Sequence, residues 1–387
     1  MKPRILCLFP AALGNTTYSK ITAVLEEGEW FFLGFKSDVL PGEPAWEDFH
    51  TPAQILEKFR PDILIFRSIT AIYEVGLNVM AHHRGITTVW LAHGDMPASA
   101  VAQRLHQRWD TNLESKSLTK WLRIFLYLGV GLPIKYSIKI LKYLWAVKNY
   151  GNNPTAVAYR TSFDLTGCDL YLAQNKSGAE SIQKFYHYPP EKIKIVGDPQ
   201  LERIPTASEP EKNKILYIET DFNSLPGGNN WTTEDYKLVY DKFVYSIRNI
   251  EYPVLVRCHP RTKPEIRAIY PAENIYSGDL ANLWPSLVCI GGCRSTLLGI
   301  ALALDIPVIT IESQLPDFPA VESQAEGLYY PLEKYPAGIQ LSDLKRPSEI
   351  NRVQWEAYSN YRGAGISPKQ EIRKYLLYLL NTAKQNG

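Results

Sequence analysis

The feature that most constrains the fold is a rhythm. Short apolar runs rich in β-branched residues alternate with segments of helical spacing, stop at a polar stretch, and start again. "RILCLFP", "DILIFRS" and "GITTVWLAHGD" read as strands, and "TPAQILEKFRP" between the first two reads as a helix ending at a proline. "CDLYLAQNKSGAESIQKFYHYPPEKIKIVGDPQLERI" continues as strand, helix, strand. Residues 205–213 then carry prolines and polar side chains without apolar periodicity, as a linker does. After them come "ILYIE", a helix around Thr233 to Ile247, "PVLVRCHP", "SLVCIGG", the helix "STLLGIALALD" and "PVITIE". This alternation builds parallel sheets with crossover helices, and 387 residues exceed what one core usually organises. The expectation is an α/β chain with an N-terminal domain over 1–204, the linker, a C-terminal domain over 214–365 and a C-terminal helix over 366–387. Two such halves imply a cleft in which ligands lie against the carboxyl ends of strands.

One segment interrupts the first half. From Ser115 through Phe163 there are eight Lys/Arg and no Asp/Glu, so with a net charge of +2 the rest of the chain carries −6. The core of this insert, 115–160, is helical in spacing. Lys135, Lys139 and Lys142 share one face of a helix, and Ile138, Leu141, Leu144 and Trp145 form another. A basic amphipathic helix with interfacial aromatics suits an anionic membrane surface, and a core-packed insert with a solvated basic face is the other reading. The longest uncharged run, Ile124 to Ile134, is 11 residues and contains Pro133, too short to cross a bilayer. The small net charge argues against nucleic acid as a partner of the whole molecule. The five cysteines, odd in number and without a CxxC pair, read as free thiols in a reducing compartment. The N-terminus reads as a first strand and not a signal, because its apolar run is short and broken by Pro10.

Two strand ends carry the chemistry. In "LVRCHPRTK", Pro260 ends sheet pairing and fixes the backbone beside His259, and Arg257, Arg261 and Lys263 surround it with charge suited to phosphate or carboxylate. In "SLVCIGGCRSTLLGIALALD", a strand meets a Gly-Gly turn, Arg294, and then a helix opened by Ser295 and Thr296. Gly291 and Gly292 would let a backbone approach a ligand closely, and the helix start would offer free N–H groups to an anion. Two anion-binding loops in one half suggest one phosphorylated ligand. Glu312, after the last strand, is placed to accept hydrogen bonds from a ribose.

The order "KIKIVGDPQLERI", linker, "ILYIETDF", "LVRCHPRTK", "SGDLANLWPSLVCIGGCRSTLLGIALALDIPVITIE" resembles glycosyltransferases of the GT-B fold, in particular bacterial capsule and surface-polysaccharide transferases that use CMP-activated sialic acid or Kdo. The resemblance covers roughly 165–315, with a looser match over the first hundred residues. It implies two Rossmann-like domains facing a cleft, and it assigns His259-Pro260 and Ser295-Thr296 to the CMP portion of the donor. The acidic Asp/Glu-Asp/Glu-Gly motif of sialyltransferases has no match in the first hundred residues. "LAHGDMPAS" stands at a strand end instead, with His93 or Asp95 as the candidate base for an acceptor hydroxyl. A related His-Gly occurs in the glycerophosphate transferases, which favours His93. Gly14 to Tyr18, Arg67-Ser68, Asp221 and Gly227-Gly228 are weaker candidates for lining the ligand pockets.

The resulting expectation is a transferase at the cytoplasmic face of the cell membrane, peripherally bound. It would move a sugar from a nucleotide donor, a CMP-sugar by preference, to a surface glycan or glycolipid, with no cofactor and no essential metal. A UDP-GlcNAc 2-epimerase-like enzyme, a CDP-glycerol-type glycerophosphotransferase and a non-catalytic scaffold of glycan assembly stay open beside it.

Overall fold

The structure is a computed structural model that describes residues 2–16, 20–69, 71–92, 102, 105–106, 118–129, 132–151, 153–161, 163–203, 212–224, 231–248, 251–311 and 325–386. It divides into two compact units, Met1–Gln200 with Ser367–Gly387, and Leu201–Ile366. Of the expected linker 205–213, residues 205–211 lie outside the described residues.

The first unit is built on six strands: β1 Arg4–Cys7, β2 Glu29–Phe32, β3 Ile63–Phe66, β4 Thr87–Leu91, β5 Leu170–Ala173 and β6 Ile193–Ile195. They lie in the order β2-β1-β3-β4-β5-β6, all parallel. Both faces are buried, and period-two alternation deals side chains to two separate layers. Leu6, Leu64, Phe66, Tyr171 and Ala173 enter one layer. Ile5, Cys7, Ile63, Ile65, Leu170 and Leu172 enter the other. The first layer is covered by helices α1 Pro52–Phe59 and α2 Ile72–His83, by α3 Leu118–Gly129 and α4 Lys135–Tyr150 of the insert, and by α5 Lys176–Phe185. Helix α1 begins where the sequence demands it. Thr51 Oγ1 accepts from the Gln54 amide at 3.3 Å, Gln54 Oε1 accepts from the Thr51 amide at 3.3 Å, and Pro52 takes the first turn.

The insert packs differently from its sequence pattern. Leu128 of α3 and Ile140, Tyr143, Leu144, Ala146 and Val147 of α4 are buried in the first layer. Leu122, Leu126, Ile134, Ile138, Leu141 and Trp145 are exposed. The apolar face read as one therefore splits, with Leu144 turned inward and its three expected companions outward. Lys139 is tied to Asp164, just beyond the insert. No helix among the described residues is long and apolar enough to cross a membrane.

The second unit repeats the plan with β7 Lys214–Ile218, β8 Ile247–Arg248, β9 Val254–Arg257, β10 Leu287–Gly292, β11 Val308–Thr310, β12 Tyr330–Pro331 and β13 Ile339–Gln340. Five of these form a parallel sheet, β12-β11-β10-β7-β9, while β8 pairs with β13. Helix α6 Thr233–Ser246 packs on one face through Tyr236, Val239, Tyr240 and Phe243. Helices α7 Thr296–Ala303 and α8 Arg352–Arg362 cover the other, α7 through Leu298, Ile300 and Leu302 and α8 through Tyr358. The Gly-Gly expected as a turn is the end of β10, fully inside the sheet.

The last helix, α9 Pro368–Asn386, belongs to the first unit. Ile372, Leu376 and Leu380 close the second apolar layer, and the Arg373 guanidinium donates to both Glu27 oxygens at 3.1 and 2.6 Å and to the Val24 carbonyl at 3.2 Å. Leu376 is fully buried. Leu376→Ala is expected to destabilise the protein by about 2–5 kcal/mol in chemical denaturation, the range for emptying such a core site.

Candidate functional site

The strand order of the second unit reverses between β7 and β10. From β7 the chain winds outward to β9, and from β10 it winds the other way to β11 and β12. Crossovers leaving two neighbouring strands in opposite directions open a crevice at their carboxyl ends. Three segments meet at that edge: Glu219-Thr220-Asp221 after β7, Cys258 to Arg261 after β9, and Cys293-Arg294-Ser295 after β10.

Thr220 joins the two central segments. Its hydroxyl donates to the Arg294 carbonyl at 2.8 Å and accepts from the Arg294 amide at 3.1 Å. The Arg294 backbone is thus fixed just before α7. Ser295 then caps that helix, its Oγ accepting from the Leu297 amide at 3.2 Å, and Thr296 opens the first turn with its side chain half buried.

On the other side, residues 259–262 form a tight turn closed by the Thr262 amide on the His259 carbonyl at 2.9 Å. His259 Nδ1 accepts from the Arg261 amide at 3.2 Å, which assigns the ring proton of the neutral imidazole to Nε2. Asp221 Oδ2 stands 3.4 Å from Arg261 Nε, pairing with the guanidinium, and 3.7 Å from His259 Nδ1, so one carboxylate lies beside both side chains near the end of β7. Burial holds the imidazole below the usual histidine range, Arg261 pushes the same way, and Asp221 opposes them. At neutral pH the ring is an uncharged Nε2–H donor. With Arg261 and the α7 N-terminus on the same edge, the second unit offers donors to an anion carrying several oxygens.

Several sequence candidates have other occupations. The Arg257 guanidinium donates to the Tyr276 and Gly278 carbonyls at 3.1 and 3.0 Å and so anchors the 276–278 segment. Gly291 and Gly292 are buried in β10. A Cβ on Gly291 would meet the Phe243 ring at 2.0 Å, and one on Gly292 would meet the Ile218 carbonyl oxygen at 2.7 Å. Their missing side chains make room for the protein's own core and neighbouring strand, correcting the expectation of a glycine turn opened for a ligand. Pro260 and Lys263 are exposed at the turn. In the first unit, Gly14 lies in the short helix Ala11–Thr16 after β1, and Arg67 and Ser68 follow β3, so both flank that sheet's own reversal between β1 and β3. Ser68 Oγ donates to the Glu74 carboxylate. Thr17, Tyr18, His93, Asp95, Gly227, Gly228 and Glu312 lie outside the described residues.

Sequence reading passed over Glu219 and Thr220. Glu219 is 3% exposed directly after β7, and its Oε1 accepts from the Thr262 hydroxyl, tying the β7 end to the His259 turn. Its carboxylate shares this buried site with the Tyr270 hydroxyl and the Cys258 thiol, which interact with it. Burial pushes the Glu219 carboxyl above the usual carboxylate range and the nearby Cys258 thiol up to about 12. The signal was present in "ILYIETD", where an acid and a hydroxyl follow an apolar run directly. Among the described residues no group of three His, Cys, Asp or Glu side chains converges to hold a metal ion.

No protein-family model matches this chain, and no curated protein matches it in sequence. Its fold is matched by solved structures. The wall teichoic acid polymerase TagF, in a variant soaked with CDPG, is 13% identical with a TM-score of 0.53, over 100% of this chain and 90% of that one. MnaA of S. aureus with UDP is 10% identical with a TM-score of 0.51, over 98% and 97%. The glycotransferase of kitacinnamycin is 12% identical with a TM-score of 0.50, over 98% and 100%. At such identities the likeness is one of architecture, and the architecture is GT-B: two α/β units, each on a parallel sheet.

Two outcomes test the site's geometry. Gly291→Ala is expected to lower stability by about 1–3 kcal/mol through overpacking against Phe243, read as a fall in Tm. In an NMR titration of the His259 ring, Asp221→Asn moves the midpoint down and Arg261→Gln moves it up; the reverse signs would refute the electrostatic arrangement.

Proposed function

We propose that this chain is a nucleotide-dependent glycosyltransferase whose second unit holds the donor's nucleotide phosphate at the reversal between β7 and β10. The observation that carries the reading is the convergence there of His259, Arg261, Arg294 and Ser295, held by Asp221 and Thr220. A leaving nucleotide phosphate gains negative charge as the bond to the anomeric carbon breaks. Nε2–H of neutral His259, the Arg261 guanidinium and the α7 N-terminus are suited to receive that charge with no metal in the mechanism. An acceptor hydroxyl loses its proton to a base, for which His93 and Asp95 are the candidates. Its oxygen forms the new bond to the anomeric carbon while the nucleotide departs with the bonding electron pair.

For the donor we favour a cytidine nucleotide. The His-Pro and Ser-Thr pairs resemble those of CMP-sugar transferases, and the TagF structure was soaked with CDPG. The acceptor in this reading is a surface glycan or glycolipid met at an anionic membrane surface, with Arg67, Ser68 and the 14–18 segment lining its pocket.

A thermal-shift screen against CMP, CDP, UDP and their sugar or glycerol conjugates tests the reading. A ligand at a hundred times its Kd adds about 2.7 kcal/mol of stability, so binding is readily seen. Cytidine nucleotides are expected to raise Tm, and His259→Ala and Ser295→Ala to weaken binding by about tenfold or more, roughly 1.4 kcal/mol each. A shift with UDP-sugars alone would remove the cytidine donor, and turnover of UDP-GlcNAc without an acceptor would replace the transferase by an epimerase.

A further inference from the structure

We propose that Leu122 and Leu126 of α3, with Ile134, Ile138, Leu141 and Trp145 on and just before α4, form a face that docks in the plane of an anionic lipid bilayer. The proposal rests on the reading of a membrane-surface transferase and gives that partner a definite contact. Among the described residues, 18 large apolar side chains are exposed, and these six fall within 24 residues. Ile134 is 88% exposed and Trp145 60%. The spacing of Ile134, Ile138, Leu141 and Trp145 is 4, 3 and 4, which makes one stripe along a helix. The opposite side of α4 is occupied, because Ile140, Tyr143, Leu144 and Val147 are buried against the first unit. The stripe is therefore surplus to folding.

Charge identifies the occupant. Lys142 and Lys148 are exposed beside the stripe, and the segment from Ser115 to Phe163 holds eight basic residues and no acid, with Lys139 alone tied to Asp164 just beyond it among the ion pairs of the described residues. A second copy packed on this face by a two-fold axis would bring like charges together, whereas a bilayer with anionic headgroups accepts both the apolar stripe and the lysines. Helix α4 has 16 residues, about 24 Å at 1.5 Å per residue, and one of its sides is committed to the core, so it lies in the interface and does not enter the hydrocarbon end-on.

Vesicle sedimentation tests this with the full chain. The wild type is expected to bind phosphatidylcholine vesicles containing about one-third phosphatidylglycerol and to bind pure phosphatidylcholine vesicles weakly. Ile138→Ser with Leu141→Ser and Trp145→Ser removes binding to both, by about tenfold or more. Lys142→Glu with Lys148→Glu removes the preference for the anionic vesicles and weakens binding to them about fivefold per charge or more. All four apolar and basic positions outside residue 138 are exposed, as is Ile138 itself, so both variants should fold, and a retained nucleotide thermal shift confirms it. Vesicle binding unchanged in both variants would overturn the proposal. So would a wild-type dimer in sedimentation equilibrium that the triple variant converts to monomer without any vesicle binding by the wild type, since the face would then join two copies. Wild-type vesicle binding lost in the triple variant, in a protein that responds to no nucleotide, would leave the docking face standing and remove the transferase reading.

Discussion

A sheet whose strands all run parallel must have both faces covered, because the crossovers that return the chain lie on those faces. Everything else here follows from that constraint. It sorts each strand's side chains into two apolar layers, it requires a helix between successive strands, and it confines polar functional groups to the edge where strands give way to loops. Within that edge only one place is left open by the winding, the reversal of strand order. In the second unit that place collects an imidazole, a guanidinium, hydroxyls and a helix start. Asp221 and Thr220 then do the fine positioning, one through charge and one through paired hydrogen bonds to the Arg294 backbone.

Nine of the eleven strands in the two main sheets were legible because their apolar runs are short, β-branched and bounded by polar residues or proline, whereas the half-exposed β2 and the two-residue β12 carry no such run and were missed; α1 was legible from its helical spacing and the proline that follows it. The two α/β units follow from that alternation, and the GT-B expectation comes from the resemblance carried by the order of the motifs. Less legible was which of several similar residues near a strand end faces outward. Arg257 and Arg261 are four residues apart and chemically identical, yet the first is bound to the carbonyls of residues 276 and 278, about twenty positions on, and the second to Asp221. No local pattern distinguishes them, because their partners are remote in sequence.

The same remoteness misled the reading of Gly291 and Gly292. A glycine pair after an apolar run signals a turn, but the demand for small residues here comes from Phe243, on a helix nearly fifty residues earlier, and from the adjacent strand. In the insert, a helical wheel shows one broad apolar arc. Only packing reveals that part of the arc is consumed by the core and part is left outside. Glu219 was missed because an acid after a strand looks solvated, whereas the Thr262 hydroxyl and the burial around it make it part of the interior.

Helix α9 completes a sheet that begins some 360 residues before it. Synthesis runs from the amino end, so the second unit has all of its residues outside the ribosome before the first unit has its last covering helix. Until then the layer containing Ile5, Cys7, Ile63, Ile65 and Leu172 lacks Ile372, Leu376 and Leu380 and has only part of its cover, from Ile21, Val24 and Leu25. The second unit therefore matures as an insertion within an unfinished first one. The completeness of that layer thus depends on a segment made after every residue of the second unit.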